Sequence, residues 1–114
     1  MKLFIQASAE NDILRQFEWY AERELQDVAR RFLAAVRGSF DMLVAMPRIG
    51  SPRIVGNERL AGLRLWPVKG FEDFQIYYLP QDDQLIVVRL LSGKRDIAMI
   101  LADQEVDRPS EERG

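Results

Sequence analysis

The stretch Leu63-Arg64-Leu65-Trp66-Pro67-Val68-Lys69-Gly70-Phe71 decides how this chain is organised. A strand has a side-chain period of two, which puts Arg64 and Trp66 on one face and Leu63 and Leu65 on the other. Gly70 then offers a turn. Two further runs rich in branched and aromatic residues follow, Phe74 to Leu79 and Leu85 to Leu91, with the polar Pro80-Gln81-Asp82-Asp83 between them. Short polar connections of this kind predict an antiparallel meander. In the last run Ile86, Val88 and Leu90 fall on one face, and Val87, Arg89 and Leu91 on the other. Apolar residues on both faces predict a central strand. Arg95-Asp96 then opens Ile97 to Leu101, which reads as a helical turn or a final strand.

Upstream the period changes. Leu3-Phe4-Ile5 reads as a short first strand, and Ser8 stands where a helix N-cap belongs. Ile13, Phe17, Tyr20 and Ala21 form one apolar stripe with Leu14 on its flank. A break falls between Glu22 and Gln26. A longer stripe follows through Leu25, Val28, Phe32, Val36, Phe40 and Leu43, and Pro47 and Gly50 end it. Two such helices joined by a short turn predict an antiparallel hairpin. The expected fold is α+β: an N-terminal strand, then a two-helix hairpin packed on a small antiparallel β-sheet. Residues 1–104 would form one domain, and 105–114, rich in Glu, Arg, Pro and Ser, a disordered acidic tail.

A chain of 114 residues can bury one modest core. It has no cysteine and no histidine, so serine–histidine and cysteine–histidine hydrolase sites are excluded, and so are the two commonest zinc ligands. No metal or cofactor is expected. No run is apolar enough for a membrane span, and Met1 to Gln6 lacks the form of a signal peptide, so a cytoplasmic protein is expected. The net charge of -2 conceals an asymmetry. Residues 44–95 carry eight Lys/Arg against five Asp/Glu, whereas residues 96–114 carry two against six. The basic middle suits an anionic partner.

Two constellations carry potential chemistry. Arg64 beside Trp66 suits a cation–π contact or a stacking platform, or else core packing with Arg64 at the sheet edge. Arg89-Leu90-Leu91-Ser92-Gly93-Lys94-Arg95-Asp96 ends a strand in a tight turn that presents Lys94 and Arg95 together, toward phosphate or an acidic protein patch. In the alternative reading Arg95 pairs with an acid and merely orders that turn. No carboxylate pair stands out for acid–base or metal chemistry; Glu72-Asp73 and Asp82-Asp83 lie in turns.

Taken together and in order, these pieces resemble the RelE/ParE superfamily of toxins from type II toxin–antitoxin systems. The resemblance spans roughly residues 3 to 101. It rests on Tyr20, Ala29-Arg30-Arg31-Phe32, Pro47-Arg48-Ile49-Gly50, Leu63 to Val68, Gly70-Phe71, Ile76-Tyr77-Tyr78 and Arg89 to Asp96. Ser92 stands where many ParE-like members have histidine. RelE-like members cut messenger RNA on the ribosome, whereas ParE-like members poison DNA gyrase without hydrolytic chemistry. An arginine and a tyrosine used by RelE-like nucleases fall on Gln75 and Leu101 here, and of that set only Arg95 remains. The resemblance therefore implies a non-catalytic, ParE-like gyrase inhibitor, held in check by a cognate antitoxin. Arg64, Trp66, Arg89, Lys94 and Arg95 would contact the target, and Phe17, Tyr20, Phe32, Val36 and Phe40 the antitoxin. The alternatives are a ribosome-dependent mRNA endonuclease and a non-toxic, antitoxin-binding relative.

Overall fold

The structure, a computed structural model, describes residues 1–107. In chain order it comprises β1 (Lys2–Ile5), α1 (Ala7–Glu22), α2 (Gln26–Ala45), β2 (Ser51–Pro52), a 3-10 turn (Glu58–Leu60), β3 (Arg64–Val68), β4 (Phe71–Pro80), β5 (Gln84–Ser92) and α3 (Ile97–Ala102). The five strands form one sheet in the order β1-β5-β4-β3-β2. The meander β3-β4-β5 is antiparallel as expected, and β5 lies inside the sheet between β4 and β1. The break between the helices falls at Arg23 to Leu25, where Glu24 takes a left-handed φ of 58°.

The sheet is mixed rather than antiparallel. β1 runs parallel to β5, with Lys2 opposite Gln84 and Ile5 opposite Val87. Side-chain alternation is the same whichever way a neighbouring strand runs, so the pattern in Leu3-Phe4-Ile5 could not decide direction.

β1 is too short to cover the whole of β5, and α1 completes the edge. The Gln6 amide donates to the Val87 carbonyl at 3.1 Å, and the Gln6 Nε2 and Ser8 Oγ donate to the Val88 carbonyl at 3.1 and 2.9 Å. One turn on, the Leu90 amide donates to Asp12 Oδ2 at 2.9 Å. An orphaned strand edge beneath a helix would cost the desolvation of each unpaired group, and these side chains supply the missing partners. Ser8 is therefore not the N-cap. Gln6 holds that position without a side-chain cap, and Ser8 turns its hydroxyl to the sheet.

Strict alternation along β5 also fails. Tyr77 lies opposite Arg89 but Tyr78 opposite Val87, so Val88 is an extra residue. Such a bulge resets which side chains point where. Leu85, Val87 and Leu90 face the helices, while Ile86, Val88 and Leu91 face the other way.

Both faces of the sheet are covered. Phe32, Val36, Phe40 and Leu43 of α2 pack with Val68, Ile76 and Tyr78 on one face. On the other, Leu60, Leu63 and Leu101 pack with Tyr77, Leu79 and Ile86. That second layer is built by the 3-10 turn and by α3, which resolves Ile97 to Leu101 as helix; Asp96 caps it by accepting from the Met99 amide at 3.2 Å. Asn57 ties the two pieces of this layer by donating to the Leu101 and Gln104 carbonyls at 2.9 and 3.0 Å. Residues 105–107 also contact the domain. Gln6 Nε2 donates to the Glu105 carbonyl at 3.0 Å, Gln6 Oε1 accepts from the Asp107 amide at 2.9 Å, and Val106 packs on the second core. The rest of the expected tail, 108–114, lies outside the described residues.

Gly50 shows why the loop after α2 needs a glycine. Its amide donates to the Tyr78 hydroxyl at 2.9 Å. An added Cβ would lie 2.5 Å from that hydroxyl and 2.7 Å from the Leu65 carbonyl oxygen. We expect Gly50→Ala to lower unfolding free energy in urea by about 1–3 kcal/mol through overpacking. An unchanged midpoint would show that the loop yields instead. Asp12→Ala should cost more, about 3–5 kcal/mol, because it strands both the Leu90 amide and the nearly buried Arg89 charge. A loss no larger than that of Gly50→Ala would contradict this.

Candidate functional site

The residues expected to meet an antitoxin divide into two groups. Phe17, Val36 and Phe40 line a groove of about 670 Å³ walled by α1 and α2, with Leu3 and Ile5 of β1 at its side. Its rim carries apolar groups that the sequence only hinted at: Leu14 is 54% and Leu3 39% exposed. Leu14 had read merely as the flank of a stripe, and Leu3 as part of a strand, because nothing local says that the helices stand apart here. Phe32 and Tyr20 belong elsewhere. Phe32 is fully buried, with ring centroids 5.7 Å from Tyr20, 5.4 Å from Phe71 and 5.5 Å from Phe74. These contacts fasten the hairpin tip to the sheet.

The five residues expected to meet a target fall in three places. Arg64 and Trp66 share the helix-facing side of β3. The Arg64 guanidinium donates to the carbonyls of Gly50 at 2.6 Å and Arg48 at 3.1 Å, which holds the loop after α2 against the sheet. Trp66 is half-buried against the main core, on a cleft between α2 and β3. Lys94 and Arg95 lie at the opposite end of the sheet. Arg64 pairs with Tyr78 and the β5 terminus Ser92 with Phe74, so much of the length of β4 separates them. Lys94 and Arg95 are exposed and make no ion pair among the described residues. The Ser92 hydroxyl orders their turn by accepting from the Lys94 amide at 3.2 Å.

Arg89 is internal. Its Nε and Nη2 donate to the two Asp12 carboxylate oxygens at 2.7 and 2.8 Å, and its Nη1 donates to Gln104 Oε1 at 3.0 Å. With side chains 15% and 6% exposed, this bidentate pair fixes α1 and the C-terminal segment to β5.

At the nuclease-associated positions, Leu101 is wholly buried, and Gln75 Oε1 is buried without a hydrogen-bond partner. Among the described residues no cluster of His, Cys, Asp or Glu could hold a metal, and no helix is long and apolar enough to cross a membrane.

Burial holds the pKa of Tyr77 and Tyr78 above the ordinary 10.0, with Arg53 opposing the rise at Tyr77. At Tyr78 the Gly50 amide, Arg64 and Arg48 oppose it. The unfolded chain ionises first, so this stability is complete below about pH 10 and is lost as pH rises through the folded-state values. Tyr77→Phe should therefore flatten the alkaline fall of the urea midpoint above about pH 10. A slope equal to the wild type's would refute it.

Residues 3–97 match the family model described as ParE toxin of type II toxin-antitoxin system, parDE, and the chain belongs to that family. A solved structure of a chromosomal ParDE TA system from P. aeruginosa is similar with a TM-score of 0.65 at 15% identity, covering 81% of this chain and 95% of that one. At that identity the likeness establishes a shared α+β fold. A comparison with curated proteins returns no match.

Proposed function

We propose that the protein is the toxin of a type II toxin–antitoxin pair that inhibits DNA gyrase by protein–protein contact and is neutralised by a cognate antitoxin. The observation that carries this reading is the family match over residues 3–97. The non-catalytic mode is supported by Gln75 and by Leu101, which serves as core rather than as a proton-transfer group. The antitoxin occupies the groove between α1, α2 and β1, where an amphipathic helix can set aliphatic side chains beside Phe17, Val36 and Phe40. Arg64, Trp66, Lys94 and Arg95 are the target-facing residues, and Arg89 supports them from inside through Asp12. A cytoplasmic location follows from a gyrase target.

Plasmid supercoiling by purified gyrase tests the reading. The folded protein should lower supercoiling and accumulate cleaved DNA, and prior mixing with the antitoxin should abolish both effects. Full supercoiling at large molar excess would refute it, and ribosome-dependent cutting of transcripts would replace it with the nuclease reading. Leu14→Glu, on the groove rim, should weaken antitoxin binding by at least about tenfold while leaving free-toxin activity intact. Unchanged antitoxin affinity would remove this groove from consideration.

A further inference from the structure

The segment after α3 is held to the body by polar bonds rather than by a core. Of residues 103–107 only Val106 is apolar, and it is partly buried on the second layer. The other attachments are hydrogen bonds. Asn57 Nδ2 donates to the Gln104 carbonyl. Gln6 clasps the segment with both ends of its amide, Nε2 donating to the Glu105 carbonyl and Oε1 accepting from the Asp107 amide. The Arg59–Glu105 pair, at 3.5 Å, has both side chains more than half exposed, so water and salt screen it. A piece of chain with so little buried apolar surface opens at a lower free energy than the body it rests on.

What lies beneath gives that opening a consequence. Gln6 and Asp12 are buried, and the Arg89 side chain is nearly so. Gln104 Oε1 accepts from Arg89 Nη1 at 3.0 Å, Arg89 holds the Asp12 carboxylate, and Asp12 in turn accepts from the Leu90 amide. The first helix leans heavily on this run of bonds. Ala9 and Asp12 are the only buried residues of α1, whereas α2 buries Phe32, Val36, Phe40 and Leu43 among others. The opposite face of α1, at Glu10, Leu14 and Phe17, walls the apolar groove.

We propose that residues 103–107 are a latch: they release and redock while the sheet stays folded, and each release loosens α1, the wall of the groove, from β5. Release removes Gln104 from Arg89 and unmasks Gln6, so water reaches the bonds that tie α1 down. Linkage runs both ways, and whatever holds α1 against β5 also closes the latch. Its use as a control over a partner's seat rests on the reading of that groove; the latch motion does not.

Amide hydrogen exchange of the full-length protein, followed by NMR in low concentrations of urea, tests this. The Leu90 amide and the α1 amides of Leu14 and Phe17 should exchange faster than those of the β3–β4 pairing. Their rates should also depend less steeply on urea, the mark of an opening short of unfolding. Gln104→Ala, alone and combined with Val106→Asp, should leave the Asp107 amide unprotected and cut protection at Leu90 at least about tenfold. Gln104→Glu, which keeps an acceptor for Arg89, should hold Leu90 within about threefold of the wild type. Wild-type Leu90 exchange with the rate and urea dependence of the β3–β4 amides would overturn the proposal, since no partial opening would exist. So would unchanged protection at Leu90 in a variant whose Asp107 amide is unprotected, or equal losses in Gln104→Glu and Gln104→Ala. No partner or gyrase enters the experiment, so its failure would leave the proposed function untouched.

Discussion

The contact of α1 with the free edge of β5 governs the rest of this molecule. A four-residue β1 leaves the second half of β5 unpaired on that edge, where a helix lies across it, and water cannot serve groups in that position. Gln6, Ser8 and Asp12 bring polar side chains to those groups, and Asp12 also holds Arg89. The same cluster reaches the C-terminal segment through Gln6 and Gln104. Three parts of the chain far apart in sequence are thereby set in one register, and the direction in which α1 leaves the sheet is fixed.

That direction shapes the clefts on either side of α2. With α1 tied over β5 and α2 lying alongside, the helices stand apart on the β1 side and leave an apolar groove. On its other side α2 meets β3 across the cleft at Trp66. The aromatic contacts of Phe32 with Tyr20, Phe71 and Phe74 lock the hairpin tip, which keeps both surfaces open at once. The single helix α2 thus supplies a wall to each cleft.

Much of the family's sequence pattern turns out to be structural. The arginine of Leu63 to Val68 grips loop carbonyls, the glycine of Pro47 to Gly50 lets that loop pass beneath Tyr78, and the strand arginine Arg89 is committed to Asp12. These motifs were legible because each imposes a steric or hydrogen-bonding demand that few residue types can meet. The exposed positions Leu14, Met42 and Arg53 carry no such local signature. An exposed leucine or arginine looks the same in sequence whether it faces a groove or plain solvent.

The sequence by itself determined the element order, the antiparallel meander and the helix hairpin, since periodicity and turn chemistry act over a few residues; the class of protein was legible only through the resemblance of its ordered motifs. Only the tertiary structure decided the parallel docking of β1, the bulge at Val88 and the second layer built by the 3-10 turn and α3. It also decided that Arg89 turns inward while Lys94 and Arg95 stay in solvent. Those outcomes depend on which backbone groups lack partners once the sheet is assembled. Residues as distant as Asp12 and Leu90 must meet before that need exists.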